Sequence, residues 1–277
     1  MKYIFKTFLL FLFSIPSASA ENIHQKPASQ SIGGYSAGCM NHAVELPLSG
    51  DGYQVMRPSR ERNFGNANTI SFINNLAQDV KNQLNGQLLI GDIAQKGNGG
   101  PMISGHASHQ TGLDIDIWFW HPKNKAILTS QQREDVQAVL LVKDENKQLI
   151  NKKLWVLYSD NYFSQLLKIT SNKPEVDRIF VNPVIKKKLC ELHKGQEWLH
   201  KIRPWWGHDH HFHIRLKCPE NNADCQAQPP IPDVGDGCNA DLEYWFSEQA
   251  RYDLQEALKK PKTKPVLPEK CNLLLKR

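Results

Sequence analysis

Two short stretches hold six of the eleven histidines of this 277-residue chain. The first reads Gly105-His-Ala-Ser-His-Gln-Thr-Gly-Leu-Asp-Ile-Asp116, and the second reads Gly207-His-Asp-His-His-Phe-His213. Imidazole and carboxylate are the ligands that zinc takes in hydrolytic sites, where three protein ligands leave a fourth position for water. The residue types therefore predict a metal-dependent hydrolytic site, provided that the fold brings the two distant stretches together.

Both stretches run into segments where apolar and polar residues alternate, as they do in half-buried strands. After the first stretch, Asp114 and Asp116 share one face, opposite a leucine and two isoleucines. In the second, His211 and His213 share the polar face. If the two strands are neighbours in one sheet, these side chains converge with His109, which lies just before the first strand. The set contains no cysteine, which favours catalytic over structural zinc.

The remaining pattern predicts short helices and strands around these two segments. The predicted helices are 69–84, 129–142, 160–170, 183–193 and 240–258, and the further strands are 87–93 and 178–181. Residues 21–60 are polar and rich in Gly, Ser and Pro, so we predict that they are mostly irregular. Elements without regular βαβ alternation indicate an α+β fold. We expect a central, mainly antiparallel sheet that carries the zinc site and is flanked by helices.

The start of the chain resembles a secretory signal peptide, with a positive end, a short apolar run and an Ala-x-Ala ending at Ala20. We therefore expect a leader over 1–20 and a single domain over 21–277 that ends in a Pro/Lys-rich tail. The apolar run is well short of the ~20 residues that span a bilayer, so no membrane anchor is predicted. The formal net charge of +6 is scattered, and no nucleic-acid partner is expected.

The six cysteines are an even number, which suggests disulfides in an exported chain. No Cys-x-x-Cys pair is present, so a cysteine zinc site is not expected. Cys218 and Cys225 flank a short turn and are spaced to close a local loop. Six cysteines allow 15 pairings, and spacing alone leaves the other partners open.

The long first stretch, together with Arg203-Pro-Trp-Trp206 and the His-x-x-His-x-His that ends at His213, resembles the penicillin-insensitive murein endopeptidases. These are periplasmic zinc peptidases in a wider group with lysostaphin-type peptidases, D-Ala-D-Ala carboxypeptidases and hedgehog signalling domains. The group shares His-x6-Asp and a terminal His-x-His. The resemblance covers nearly the whole chain after the leader. It implies that the remaining disulfides join Cys190 to Cys238 and Cys39 to Cys271.

The resemblance also implies roles for single residues. The implied zinc ligands are His109, Asp116 and His213. His106 matches a histidine among the family's metal-contacting residues, at a secondary or variable position. The family's other candidates for a second metal fall near Asp144, where Lys147 stands in place of a histidine, which argues against a full second site.

The catalytic base must be sought among the histidines, because no glutamate lies beside either stretch and no His-Glu-x-x-His helix is present. The resemblance implies that His211 stands beside the metal, where it would orient water or stabilise the oxyanion, and that His208 is a further active-site histidine. These two are the candidates, with Asp114 or Asp209 assisting without contacting the metal. We favour His211, the first histidine of the terminal pair, as the group that accepts and returns the proton.

The favoured function is a periplasmic, zinc-dependent endopeptidase that cuts D-alanyl–meso-diaminopimelyl cross-links in peptidoglycan and is insensitive to penicillin. A homodimer is left open. The alternatives are a non-catalytic module that keeps zinc and binds cell-wall peptide, and a zinc-transfer protein. Both His211 and His208 are present, which favours the enzyme because a pure binding protein needs neither.

Two features near the second stretch have more than one interpretation. Trp205 and Trp206 would either line a substrate groove or form part of the core, and a buried pair is the favoured interpretation. Arg203 would either bind a peptide carboxylate or form a salt bridge.

Overall fold

The computed structural model describes residues 27–120, 125–143, 149–150, 161–261 and 263–276. The predicted leader, residues 1–20, and Asp144 with Lys147 lie outside these ranges. In chain order, the strands are β1 (Gln30–Gly34), β2 (Ala37–Asn41), β3 (Val44–Glu45), β4 (Ser49–Gly50), β5 (Tyr53–Val55), β6 (Phe64–Gly65), β7 (Leu88–Ile90), β8 (Asp114–Trp118), β9 (Val142–Lys143), β10 (Leu149–Ile150), β11 (Val176–Val181), β12 (Ile202–Pro204) and β13 (His211–Leu216). The helices are α1 (Ala67–Leu84), α2 (Ser130–Asp135), α3 (Tyr162–Ser171), α4 (Pro183–His193), α5 (Ala240–Glu243), α6 (Glu248–Lys259) and α7 (Glu269–Leu275).

A seven-stranded mixed sheet forms the centre of the fold, with the strand order β12-β11-β13-β8-β7-β5-β4. Its pairings are antiparallel except for β5 with β7 and β11 with β12, which are parallel. The predicted α+β class and the mainly antiparallel sheet are confirmed.

The pairing of β8 with β13 brings the two histidine stretches together. His213 lies opposite Asp116, and Arg215 lies opposite Asp114. On the other side of β13, Phe180 of β11 lies opposite His213. Because side chains of a strand alternate between faces, these residues all project from one face of the sheet. The strand pairing thus makes a polar, metal-ligating face out of residues about a hundred positions apart.

The opposite face of the same strands forms the hydrophobic core. Phe212, Ile214 and Leu216 are buried there, beside Ile115 and Ile117 of β8. The Phe119 ring connects this face to α3, with its centroid 5.3 Å from that of Phe212 and 5.5 Å from that of Phe163. The buried residues of α1 recur at helical spacing: Ile70, Ile73, Leu76, Ala77 and Val80. Each Å² of apolar surface buried on this face stabilises the folded state by about 25 cal/mol. This core therefore holds in place the strands that carry the polar face.

Three predicted elements differ from the structure. The helix predicted over 129–142 has the capping box of Thr129, but α2 ends at Asp135. The chain then becomes extended because the backbone amide of Leu141 donates to the carbonyl oxygen of Asp209. The helix predicted over 240–258 is divided into α5, a 3-10 turn and α6. Residues 21–60, predicted to be mostly irregular, contain β1–β5: β1 pairs with β2 and β4 with β5 as local hairpins, while β3 and β5 pair with the later strands β6 and β7.

All three predicted disulfides are present: Cys218–Cys225, Cys190–Cys238 and Cys39–Cys271. The first closes a local turn, as its spacing predicts. The other two join segments 48 and 232 residues apart. No helix in the described ranges has both the length and the apolar character that crossing a membrane requires.

Candidate metal centre

Three side-chain atoms converge above the polar face of β8 and β13. The Nε2 atom of His109 lies 3.4 Å from Oδ1 of Asp116 and 3.2 Å from Nδ1 of His213. Nδ1 of His213 lies 3.1 Å from the same Asp116 oxygen. Four-coordinate zinc with bonds of 2.0–2.1 Å requires its ligand atoms to be about 3.3 Å apart, which is the edge of the tetrahedron. The three atoms therefore have the spacing of three corners of a zinc site.

The backbone before β8 directs the His109 side chain toward Asp116 and His213. His109 has a left-handed φ of 66°, and its amide donates to Oδ2 of Asp114 at 2.9 Å. Its Nδ1 lies 2.6 Å from the carbonyl oxygen of Ile93, which can only accept, so Nδ1 carries the hydrogen. Burial alone would lower the pKa of His109, but Asp116 and Asp114 raise it to about 9, so a metal would displace a proton from Nε2, the nitrogen that faces Asp116 and His213. The contact with Ile93 selects the tautomer that a ligand needs.

His213 is oriented in the same way from the other side. Its Nε2 lies 2.9 Å from Oδ1 of Asp114, so Nε2 donates to the carboxylate and Nδ1 faces Asp116 and His109. Arg215 donates to the two oxygens of Asp114 at 2.8 and 3.3 Å. Burial alone would raise the pKa of Asp114, but Arg215 and His213 hold it well below its usual range. Asp114 is thus a buried anion that positions His213.

Arg215 itself is held between two aromatic rings. Its guanidinium carbon lies 4.3 Å from the ring centroid of Tyr35 and 5.3 Å from that of Phe180. The hydroxyl of Tyr35 donates to the carbonyl oxygen of Leu216 at 2.6 Å. Stacking of this kind favours a planar guanidinium at a fixed position. Sequence reasoning missed this role of Arg215, although its alternation within the second strand places it on the same face as His213.

The surroundings of the Asp116 carboxylate show whether a cation fits between these side chains. Its Oδ1 atom is buried and has no hydrogen-bond partner among the described groups. A buried, unsatisfied anionic oxygen costs free energy, and a bound cation removes that cost. Burial alone would raise the pKa of Asp116, but His211 and His109 hold it well below its usual range. The residues present therefore fit a divalent metal.

His106 offers a second combination of ligands. Donor atoms of His106, His109 and Asp116 lie within 4.8 Å of one another. Nε2 of His106 is 3.6 Å from Asp116 but only 2.9 Å from Oδ2 of Asp92. Asp92 is buried and also accepts from Arg62 at 2.7 Å. Asp92 already holds the ring nitrogen of His106, and the His213 nitrogen lies nearer to Asp116 than that of His106 does, at 3.1 Å against 3.6 Å.

Asp92 is the acidic residue that sequence reasoning missed. It follows β7, and its backbone oxygen accepts from the amide of Asp116 at 2.9 Å, so it extends the sheet beside the site. The only signal is an aspartate two residues after a buried apolar run, which is common in proteins and is not specific.

His211 and His208 lie next to the converging side chains of His109, Asp116 and His213 but are not among them. Nε2 of His211 is 3.6 Å from Oδ1 of Asp116, and the His208 ring centroid is 5.1 Å from that of His211. Burial lowers the pKa of His208 to about 3 and that of His211 to about 4. Both rings are therefore neutral at pH 7. Asp209, by contrast, has Oδ1 bound to Nδ1 of His210 at 2.8 Å.

Two clefts meet at the metal centre, and His106 lines both. The first, on the β11 side, has a volume of about 660 Å³ and is lined by His213, His208, Phe180, Trp205, Trp206 and Trp245. The second, on the β7 side, has a volume of about 400 Å³ and is lined by Asp116, His211, Trp118, Arg57 and Arg60. The site is therefore accessible from both sides.

The first cleft settles the two open interpretations. Trp205 is 52% exposed, and it lines the cleft with Trp206, so the core interpretation of this pair is wrong. Trp205 follows β12, the strand at one edge of the sheet, and packs against Phe180 and Trp245 on one side only. Nη2 of Arg203 donates to Oδ2 of Asp241 at 2.6 Å, which confirms the salt-bridge interpretation.

Comparison with known proteins gives one consistent family. A family model described as penicillin-insensitive murein endopeptidase matches residues 31–276. Proteins of that name from Yersinia enterocolitica and Klebsiella pneumoniae are 45% and 43% identical to this chain, each over 249 residues. The alignments cover 89% and 90% of this chain, and 85% and 86% of the two relatives. A protein of the same name from Escherichia coli O157:H7 is 41% identical over 251 residues, which are 90% of this chain and 86% of that protein. The matched range contains both histidine stretches and all six cysteines.

Proposed function

The chain belongs to the family of penicillin-insensitive murein endopeptidases, and from this premise we propose that His109, Asp116 and His213 hold one zinc ion used for peptide-bond hydrolysis. The proposed substrate is the D-alanyl–meso-diaminopimelyl cross-link of peptidoglycan. The chain is a peptidase that acts on peptidoglycan. Zinc as its metal, this cross-link as the bond that it cuts, and the roles of the three residues are proposed.

One observation carries the metal assignment. The three ligand atoms lie 3.1–3.4 Å apart around a buried carboxylate oxygen that has no hydrogen-bond partner among the described groups. Two imidazoles and one carboxylate, without thiolate, are typical of catalytic zinc with an open coordination position. Hard cations such as Mg²⁺ prefer all-oxygen ligands, so they fit this set less well.

Zinc, when bound, supplies Lewis-acid polarisation of the scissile carbonyl and activates water near neutral pH. The chain's own residues provide the proton transfers. His211, neutral and bordering Asp116, accepts a proton from the attacking water and returns it to the leaving amine. His208 is also neutral, and its Nδ1 lies 3.0 Å from the carbonyl oxygen of Trp206, so its Nε2 remains available. In this scheme no serine becomes acylated, which agrees with insensitivity to penicillin.

We further propose that the protein works in the periplasm. The support is a substrate that forms the cell wall, three disulfides, and a leader-like sequence over 1–20. Disulfides form and persist in that compartment and are rare in the cytosol.

The proposal is tested by incubating purified protein with isolated sacculi and identifying the released muropeptides. We expect loss of cross-linked dimers and a matching gain of monomers. Binding of muropeptides without cleavage would favour the non-catalytic module instead.

The ligand set is tested by metal analysis of two matched variants. His213→Ala should lose most of its zinc, because Nδ1 of His213 is a corner of the site. His106→Ala should keep about one zinc per chain, because Asp92 already holds that ring. Loss of zinc in His106→Ala with retention in His213→Ala would exchange the roles of the two histidines.

A further inference from the structure

We propose that the first cleft is a carbohydrate-binding subsite, which holds an amino-sugar ring of the glycan strand by stacking on Trp205 and Trp245. The proposal rests on the proposed function, because the sugar is joined to the peptide stem that is cut.

The cleft floor is a continuous series of aromatic rings that starts at the metal centre. The Phe180 centroid lies 5.4 Å from that of His213, and the Trp205 centroid lies 5.7 Å from that of Phe180. Trp245 continues the series at 5.8 Å from Trp205. Tyr244, next to Trp245, is 42% exposed. Large aromatic side chains left open in a cleft mark a ligand-binding surface rather than core.

The walls of the cleft are polar. The ion pair of Arg203 with Asp241 lies along it, and Arg178 and Gln228 line the same space. A hexose or amino-sugar ring has an apolar C–H face and a rim of hydroxyl and amide groups. An aromatic floor with charged walls matches both parts, since the ring stacks and the rim forms hydrogen bonds. The short side chains of a D-alanyl stem offer no comparable flat surface.

The distances agree with one stem placed along the cleft. In a peptidoglycan stem, about four residues separate the cross-link from the sugar, which is roughly 13–14 Å when extended. Ring-to-ring steps of 5.4 and 5.7 Å lead from His213 through Phe180 to Trp205, and together they are shorter than this extended stem. A sugar on the stem whose bond lies at the metal centre therefore reaches Trp205, and Trp245 lies one further step of 5.8 Å away.

The experiment compares two substrates that differ only in their sugars. One is a cross-linked muropeptide dimer that carries its disaccharides, and the other is the same dimer after an amidase has removed them. Trp205→Ala should raise KM for the sugar-bearing dimer by about tenfold, with kcat unchanged, because a stacked aromatic anchor is lost. KM for the peptide-only dimer should stay the same.

Two further variants serve as controls. Trp205→Phe keeps an aromatic ring and should recover most of the lost affinity. Tyr252→Ala removes an aromatic residue that is 58% exposed on α6, outside the cleft lining, and should behave as the wild type with both substrates.

An equal rise of KM with both substrates would show that the cleft holds peptide, and an unchanged KM with both would show that it holds no part of the substrate. Either result overturns the proposal. Calorimetry with an uncross-linked disaccharide-tetrapeptide and with the bare tetrapeptide makes the same comparison without catalysis. If the wild type cleaves neither dimer, the proposed function fails, whereas Trp205-dependent binding of the sugar-bearing peptide alone would still support the subsite.

Discussion

Replacement of Asp114 by asparagine should lower the affinity for the metal, although Asp114 is not one of the three proposed ligands. Asparagine keeps the shape of the side chain but removes the charge that accepts Nε2–H of His213 and pairs with Arg215. The variant can then present an amide N–H to His213, which disturbs the tautomer that leaves Nδ1 free. Loss of an outer partner of a metal-bound histidine typically costs 10–100-fold in metal affinity.

The same change should also lower the stability of the metal-free protein. The Arg215 side chain is 8% exposed, and Asp114, which is fully buried, is its anionic partner. Breaking a buried ion pair from one side leaves the other charge uncompensated and costs about 3–5 kcal/mol. Urea unfolding of the metal-free variant measures this loss, and competition with a zinc chelator measures the affinity of the folded protein.

A double variant separates the two effects. Asp114→Asn with Arg215→Met removes both charges, and methionine can pack between the rings of Tyr35 and Phe180. We expect the double variant to regain much of the unfolding free energy but to retain the loss of zinc affinity, because His213 still lacks its carboxylate. Wild-type zinc affinity in Asp114→Asn, or recovery of affinity in the double variant, would refute the positioning role of Asp114.

Three further predictions follow from other contacts. His211→Ala should keep its zinc and fold while cross-link cleavage falls by ~10²–10⁴, the usual range for general acid–base groups; loss of the metal in that variant would make His211 a ligand. Burial lowers the pKa of Lys186 from 10.5 to about 7, so its contribution to stability is complete above pH 10.5 and is lost as the pH falls toward 7. The unfolding free energy of Lys186→Met relative to the wild type should therefore rise as the pH falls through that window, and parallel pH profiles would contradict this. Leu216→Ala, which creates a cavity at a buried position, should lose about 2–5 kcal/mol of unfolding free energy, yet the zinc content of the folded fraction should match the wild type.

The faces of the two site strands could be predicted from sequence because the pleat has a period of two. That pattern correctly placed Asp116 and His213 on polar faces. It could not show that β8 and β13 are neighbours or that Asp116 lies opposite His213, because pairing between segments so far apart depends on the whole fold. The resemblance to a known family supplied the proposed ligand set, which periodicity alone left open.

The end of α2 and the role of Asp92 were not predicted, because both depend on contacts between residues that are distant in sequence rather than on local preferences. The capping box at Thr129 located the start of α2 correctly, since capping depends on residues three positions apart. Its end was not predictable, because the chain after Val136 is drawn into an extended path by the carbonyl of Asp209. Asp92 gave no distinctive signal, and its importance comes only from its position beside Asp116.

The clefts on the β11 and β7 sides have a consequence for where in a polymer the protein can cut. A pocket closed behind the metal would admit only the end of a chain, and such an enzyme would trim residues one at a time. A site open on two sides lets the substrate continue past the cut in both directions. A cross-linked polymer has few free chain ends. Only a site that is open on two sides can therefore reach an interior bond.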